Sequence, residues 1–341
     1  MEKINHKSII PSAAFTIRPS LIKYFNPIFT PPQVGDLIYG EVMSLGQHRT
    51  LESKSARIHT IQEGSRAVFV LGNRYAPDYY ESFIPEELGP TVHLTARSGL
   101  VGTVYVQNKN ISRPTVVKVL GYVCNGEGKT ISTRHYSQLV PRKKNKQKKR
   151  AKLLLFIGTA MNSGKSHAAA AACYALSSMR KNVRAAKITG TASLKDLLLM
   201  EDCGASKIAD FTYLGFPSTY MLSETELQDI FDTIDLKYGN NPANYFVTEF
   251  ADGIMQRETS MLLNMDAVRQ RIHKIVFCGN DAFGIIGGLR LLKKKHGLYA
   301  DAISGVCTSS PLQIRELQSY VNLPILKSAE LNHKDIYRII K

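Results

Sequence analysis

The sequence predicts an α/β chain in two parts: a small all-β, barrel-like domain, then a mostly parallel, doubly wound α/β domain. Three observations predict it. A basic stretch, PRKKNKQKKR (141–150), divides the chain and offers no apolar residue to a core. Before it, short segments rich in Val, Ile, Tyr and Thr are broken at close intervals by Gly, Pro, Asn and Asp, the rhythm of antiparallel strands. After it, strongly apolar strands alternate with helical patterns, as in a parallel sheet covered on both faces.

The elements follow in order. Residues 1–33 are punctuated by proline and are expected to form an arm. Residues 34–140 hold the strand candidates DLIYGEVMSL, SRAVFVLG, TVHLTA, LVGTVYVQ and PTVVKVLGYV, enough for a barrel or sandwich. Residues 141–150 form a basic linker, and 151–341 the α/β domain. There the strand candidates are 153–157, 183–187, 245–248, 274–278, 302–307 and 325–327. Helical patterns such as KSHAAAAACYALSSMRK, SETELQDIFDTIDLKYG, RETSMLLNMDAVRQRI and SPLQIRELQSYV lie between them.

Composition excludes some classes. Hydrophobic content of 44% and charged content of 21% are ordinary for a globular chain. No apolar run is long enough to span a bilayer, and the N-terminus has no signal-peptide pattern. The five cysteines, Cys124, Cys173, Cys203, Cys278 and Cys307, show no metal-ligand spacing, so reduced thiols in a cytoplasmic protein are expected. The net charge of +16 is concentrated: residues 141–150 carry seven Lys/Arg and no acid. Residues 1–140 carry 15 basic and 10 acidic side chains, and residues 151–341 carry 22 and 18.

The stretch LLLFIGTAMNSGKSHAAAAACYAL (153–176) carries the chemistry. An apolar strand runs into Gly158-Thr159, a loop ends in Asn162-Ser163-Gly164-Lys165-Ser166-His167, and an Ala-rich helix leaves it. Successive loop N–H groups and the helix N-terminus supply positive potential for phosphates. Lys165 reaches the β- and γ-phosphates, and Ser166 is placed to ligate Mg²⁺. ATP and Mg²⁺ are the expected cofactors, with Gly158, Thr159, Asn162, Ser163, Gly164, Lys165, Ser166 and His167 forming the binding loop. Gly158 precedes Gly164 by one residue more than the usual phosphate-loop pattern.

That longer loop, G-T-x-x-x-x-G-K-S, resembles the dethiobiotin synthetase-like branch of P-loop NTPases, whose loop reads GTDTxxGKT. The resemblance spans most of 151–330 as spaced motifs. It implies a P-loop NTPase domain with a lysine at the end of the second strand, here Lys187 in VRAAKITG. It implies a metal-binding aspartate, for which SLKDLLLM offers Asp196. It implies an acidic strand end, here Glu249 in YFVTEFADG, where the family's glycine after the glutamate is absent and the turn is expected to differ. Asp252 is the next carboxylate. The family strands flanking the base correspond to VFCGNDAFG and ISGVCTSSP, with Thr308 nearest the residue that reads adenine. Family substrates bind near LGFPSTYMLSE, with Ser218, Thr219 and Tyr220.

The residues also support these roles directly. A carboxylate at the C-terminal end of an apolar strand, as at Glu249, stands where doubly wound sheets hold a metal ligand or orient water; an exposed or helix-capping acid is the plainer reading. Lys187 would face the same crevice and stabilise phosphoryl charge, or lie on the surface. Asp196 is a metal ligand or a first-turn helix acid. Gln256, Arg257 and Glu258 form a polar cluster that would touch a substrate or partner, or cap a helix. Lys165, Lys187 and Glu249 are therefore the catalytic candidates, and Ser166, Asp196 and Glu249 the metal ligands.

In the N-terminal half, Arg49, Arg57, Arg66, Arg74 and several tyrosines suit either an OB-like nucleic-acid binder or an ordinary barrel used for dimer or domain contacts. The 142–150 run would contact nucleic-acid phosphates, or serve only as a solvated linker. The expectation is an ATP-hydrolysing enzyme with an unidentified small-molecule or macromolecular substrate, assembled as a homo-oligomer, a dimer. A ligase or kinase on a small molecule, and a nucleotide-dependent switch acting on nucleic acid or a protein, remain open.

Overall fold

The computed structural model describes residues 1–5, 7–27, 30–139 and 149–341. Of the basic stretch only 149 and 150 are described, so the expected linker and its contact with nucleic acid lie outside the described residues. The chain forms two compact units: Met1–Val140 with Thr191–Lys195 and Phe211–Met221, and Pro141–Gly190 with Asp196–Asp210 and Leu222–Lys341.

In the first unit, strand pairings run in a ring. Leu37–Ser44 pairs antiparallel with Arg66–Leu71, which pairs parallel with Leu100–Gln107. Leu100–Gln107 pairs antiparallel with Thr91–Leu94, that strand with Thr115–Cys124, and Thr115–Cys124 with Leu37–Ser44 again. The period-two alternation sends Ile38, Val42, Phe69, Leu71, Val92 and Leu94 into one core. Their neighbours Leu37, Tyr39, Val68 and Val70 enter a second core with Ala13, Ala14 and Ile17. Burial on both faces explains why LIY and AVFVL read as unbroken apolar runs. Residues 1–33, expected as an arm, supply that second layer, and Tyr24–Asn26 adds a strand beside Thr115–Cys124.

The second unit is built on a six-stranded sheet in the order Lys207–Asp210, Asn182–Thr189, Asn244–Phe250, Lys152–Gly158, Ile272–Cys278, Ala302–Ser304. Every pairing in it is parallel. The strand entering the phosphate loop therefore lies between Asn244–Phe250 and Ile272–Cys278, where the strand order reverses, and the crevice beyond the carboxyl ends there is the place for a ligand in such sheets. The helix Lys165–Ser178 buries Ala168 to Ala172, whose small side chains let it lie close on the sheet.

Two elements differ from expectation. The candidate strand 302–307 stops at Ser304, because Gly305 turns the chain at φ +104° into the short helix Val306–Ser309. The candidate strand 325–327 reduces to a single bridge between Ile325 and Ile303. No helix among the described residues is long and apolar enough to cross a membrane.

Candidate phosphate-loop site

The loop's conformation follows from its glycines and from what braces it. Gly164 has φ +88°, and a Cβ there would come within 2.9 Å of the Gly305 Cα. Gly305 is held as closely: a Cβ on it would lie 2.4 Å from the Ser163 carbonyl oxygen. The Thr159 N–H donates to the Cys278 carbonyl at 2.9 Å, Ile254 N–H to the Gly158 carbonyl at 3.0 Å, and Val306 N–H to the Ser163 carbonyl at 3.3 Å. Segments beyond three other strands thus fix the loop. Gly305→Ala would put a side chain into backbone at a left-handed φ. It is expected to cost about 1–3 kcal/mol, read as a lowered melting temperature with weakened nucleotide binding.

Lys165 opens the helix and is buried, its ammonium donating to the Ala160 carbonyl at 2.8 Å and the Ser163 hydroxyl at 3.3 Å. It stays inside the arch of its own loop, where a phosphate chain would lie. Burial lowers its pKa, while Glu249 and Asp252 act in the opposite sense. Asn162 and His167 are exposed at the loop's rim, Asn162 with φ +58°.

Glu249 lies on the neighbouring strand, in register with Phe156 of the strand entering the loop and with Lys187 on its other side. The Ser166 hydroxyl donates to its Oε1 at 3.2 Å. Its Oε2 is buried with no hydrogen-bond partner. A buried, unsatisfied carboxylate oxygen is costly, so its retention beside a loop serine needs a reason. Burial raises the pKa of Glu249 against the pull of Lys187, and Asp196 adds to the rise.

A bound magnesium ion would supply that reason. Ser166 Oγ and the Glu249 carboxylate are hard oxygen donors side by side, and the orphaned Oε2 has capacity to spare. No group of three or more His, Cys, Asp or Glu side chains among the described residues forms a metal cage. Mg²⁺ in nucleotide sites needs none, since it takes one or two protein oxygens, water and the substrate phosphates. The residues present therefore fit Mg²⁺.

Lys187 and Asp196 meet each other, Nζ to Oδ2 at 2.5 Å. Burial opposes the charge on Lys187, yet Asp196 and Glu249, then Asp252, hold its pKa above the ordinary lysine value. The lysine is thus a fixed cation beside Glu249, with Asp196 its direct partner. In the turn after Glu249 a cis peptide joins Ala251 and Asp252. The Ala251 carbonyl accepts from the Thr189 and Thr259 hydroxyls, both at 2.5 Å.

Other candidates lie elsewhere. Gln256 caps the helix Arg257–Asn264, accepting from the Thr259 N–H, and Arg257 pairs with Glu258. Thr308 is buried and donates to the Gly305 carbonyl at 2.8 Å, so its hydroxyl holds the turn. Ser218, Thr219 and Tyr220 belong to the first unit, where the Tyr220 hydroxyl bonds Glu81. Sequence reasoning missed an apolar cavity of about 400 Å³ beside the loop, lined among others by Gly164, His167, Ala171, Val306, Ser328 and Leu331. Nothing in the sequence marks residues 328–331, because only the folded chain returns them to the loop.

A strand, a Gly-Lys-Ser loop, a helix and an acidic neighbouring strand in a parallel sheet define a P-loop fold of the nucleotide-binding kind. No family model matches the chain, and no curated protein matches it either. Among solved structures, a ParA family ATPase from Chlorobium tepidum TLS is similar at 14% identity over 56% of this chain and 92% of that one, with a TM-score of 0.34. The signal recognition particle receptor FtsY from Elizabethkingia anophelis is similar at 12% identity over 56% of this chain and 65% of that one, with a TM-score of 0.34.

Proposed function

We propose that the chain binds and hydrolyses ATP with Mg²⁺ and couples that reaction to a second substrate, in the manner of the dethiobiotin synthetase-like P-loop enzymes. The observation that carries the reading is the pairing of Ser166 Oγ with Glu249, whose second carboxylate oxygen is buried without a partner under the loop. The loop N–H groups and Lys165 hold the phosphates, and the apolar cavity beside Gly164 and His167 takes the base. Ser166 and Glu249 hold the metal, which when bound neutralises developing phosphate charge. Lys187 stabilises the transferring phosphoryl group from the adjacent strand end, and Asp196 orients it.

The test is phosphate release by the full chain with ATP and with GTP, with and without Mg²⁺. Metal-dependent release with ATP, raised by carboxylate- or amine-bearing metabolites, is the expected result. No release under any of these conditions would sink the reading.

A second reading is favoured by one feature of the chain. Thr191–Lys195, the segment between Lys187 and Asp196, belongs to the first compact unit. The two partners of the ion pair therefore bracket an excursion into the other unit, which suits a nucleotide-dependent switch acting on nucleic acid or a protein. Release stimulated by DNA or RNA and indifferent to metabolites would favour this switch.

A further inference from the structure

Three cations converge where nothing in the phosphate-loop chemistry uses them. Arg184, Lys207 and Lys237 line a cavity of about 430 Å³ at the amino ends of the strands, opposite the loop. The rest of its wall is Tyr238 and the amides Asn240, Asn241 and Asn244, with no acid. Among the described residues none of the three cations forms a salt bridge. Cations nearby do: Arg150 and Arg271 both close on buried Asp235, at 2.9 and 2.7 Å. The fold thus gives two arginines here a shared carboxylate and leaves three other cations facing one cavity, where like charges repel unless an anion joins them.

Asn244 adds an independent observation. It is only 4% exposed, lines the cavity, and its side-chain amide has no hydrogen-bond partner among the described residues. An amide in the wall of such a concavity can donate to the oxygen of a bound oxyanion.

We propose that this cavity is a second ligand site, for a small polyanion bearing phosphate or several carboxylates. Arg184 offers a planar fork to oxyanions, Lys207 and Lys237 act as point charges, and the Asn244 amide donates to a further oxygen. A concavity of about 430 Å³ has room for a small molecule of that charge.

The test uses the full chain carrying Lys165→Ala, which weakens phosphate binding at the loop. Inorganic pyrophosphate and, separately, citrate are titrated by calorimetry. Saturable binding of either is expected, and the preference between them assigns phosphate or carboxylate. Adding Arg184→Gln and Lys207→Gln should weaken it by at least about tenfold, the scale of losing charge-assisted contacts. Lys237→Gln, at an exposed helix end, should weaken it with an unchanged melting temperature, and serves if the double substitution fails to fold. No binding of either probe, equal binding with and without the charge-removing substitutions, or binding only of a single-stranded oligonucleotide would overturn the proposal. Phosphate release from ATP by the unsubstituted chain is measured alongside; its absence would count against the ATPase reading and leave this site standing.

Discussion

Alanine at position 165 is expected to abolish phosphate release while the chain stays folded. The Lys165 ammonium is the only side-chain cation held inside the loop's own arch among the described residues, bonded to the Ala160 carbonyl and the Ser163 hydroxyl. A phosphate chain in the loop meets that charge first, so losing it should lower turnover by roughly 10²–10³-fold or more, as for loss of a positioned charge-stabilising donor. Stability should change little. Burial already disfavours the lysine's charge, with Glu249 and Asp252 offsetting it, and the substitution removes a desolvation cost together with two hydrogen bonds. Phosphate release and melting temperature on one preparation check both halves. Parent-like release from folded Lys165→Ala would mean that GTAMNSGKS is not the working loop.

What was legible in the sequence was the chemistry that needs a fixed local backbone. Gly164-Lys165-Ser166 can be read because a strand, a left-handed glycine and a helix start are consecutive in the chain. Glu249 can be read because an apolar strand ends at it, and parallel register brings it beside Phe156 and Lys187. The four-residue edge strand Lys207–Asp210 was hidden because it is too short to show a period. The role of Gly305 was hidden for another reason. Its close contact with the Ser163 carbonyl exists only once the strand Ala302–Ser304 has joined the sheet on the far side of Ile272–Cys278 from the strand that enters the loop. The exchange of Thr191–Lys195 and Phe211–Met221 into the first unit was equally invisible, since these segments look like ordinary loops of an α/β domain and only long-range packing reassigns them.

Glu249→Gln should separate binding from turnover. The substitution keeps shape and removes charge at the carboxylate whose Oε1 accepts from Ser166 and whose Oε2 is orphaned. The loop N–H groups and Lys165 keep most phosphate contacts, so nucleotide affinity should stay within about tenfold. Turnover should fall by roughly two orders of magnitude or more, because the metal-side carboxylate that positions water or the attacking group is gone. The charge balance sharpens the expectation: Lys187 would keep Asp196 but lose its second acidic neighbour, and Lys165 would lose the first of the two carboxylates that support its charge. The Mg²⁺ dependence of turnover should therefore shift to higher metal concentration, which a merely structural role for Glu249 would not produce. Nucleotide titration, phosphate release and a magnesium series on the same preparation decide the matter. A variant that hydrolyses ATP normally would remove Glu249 from the site and pass its role to Asp252, whose charge also reaches both lysines.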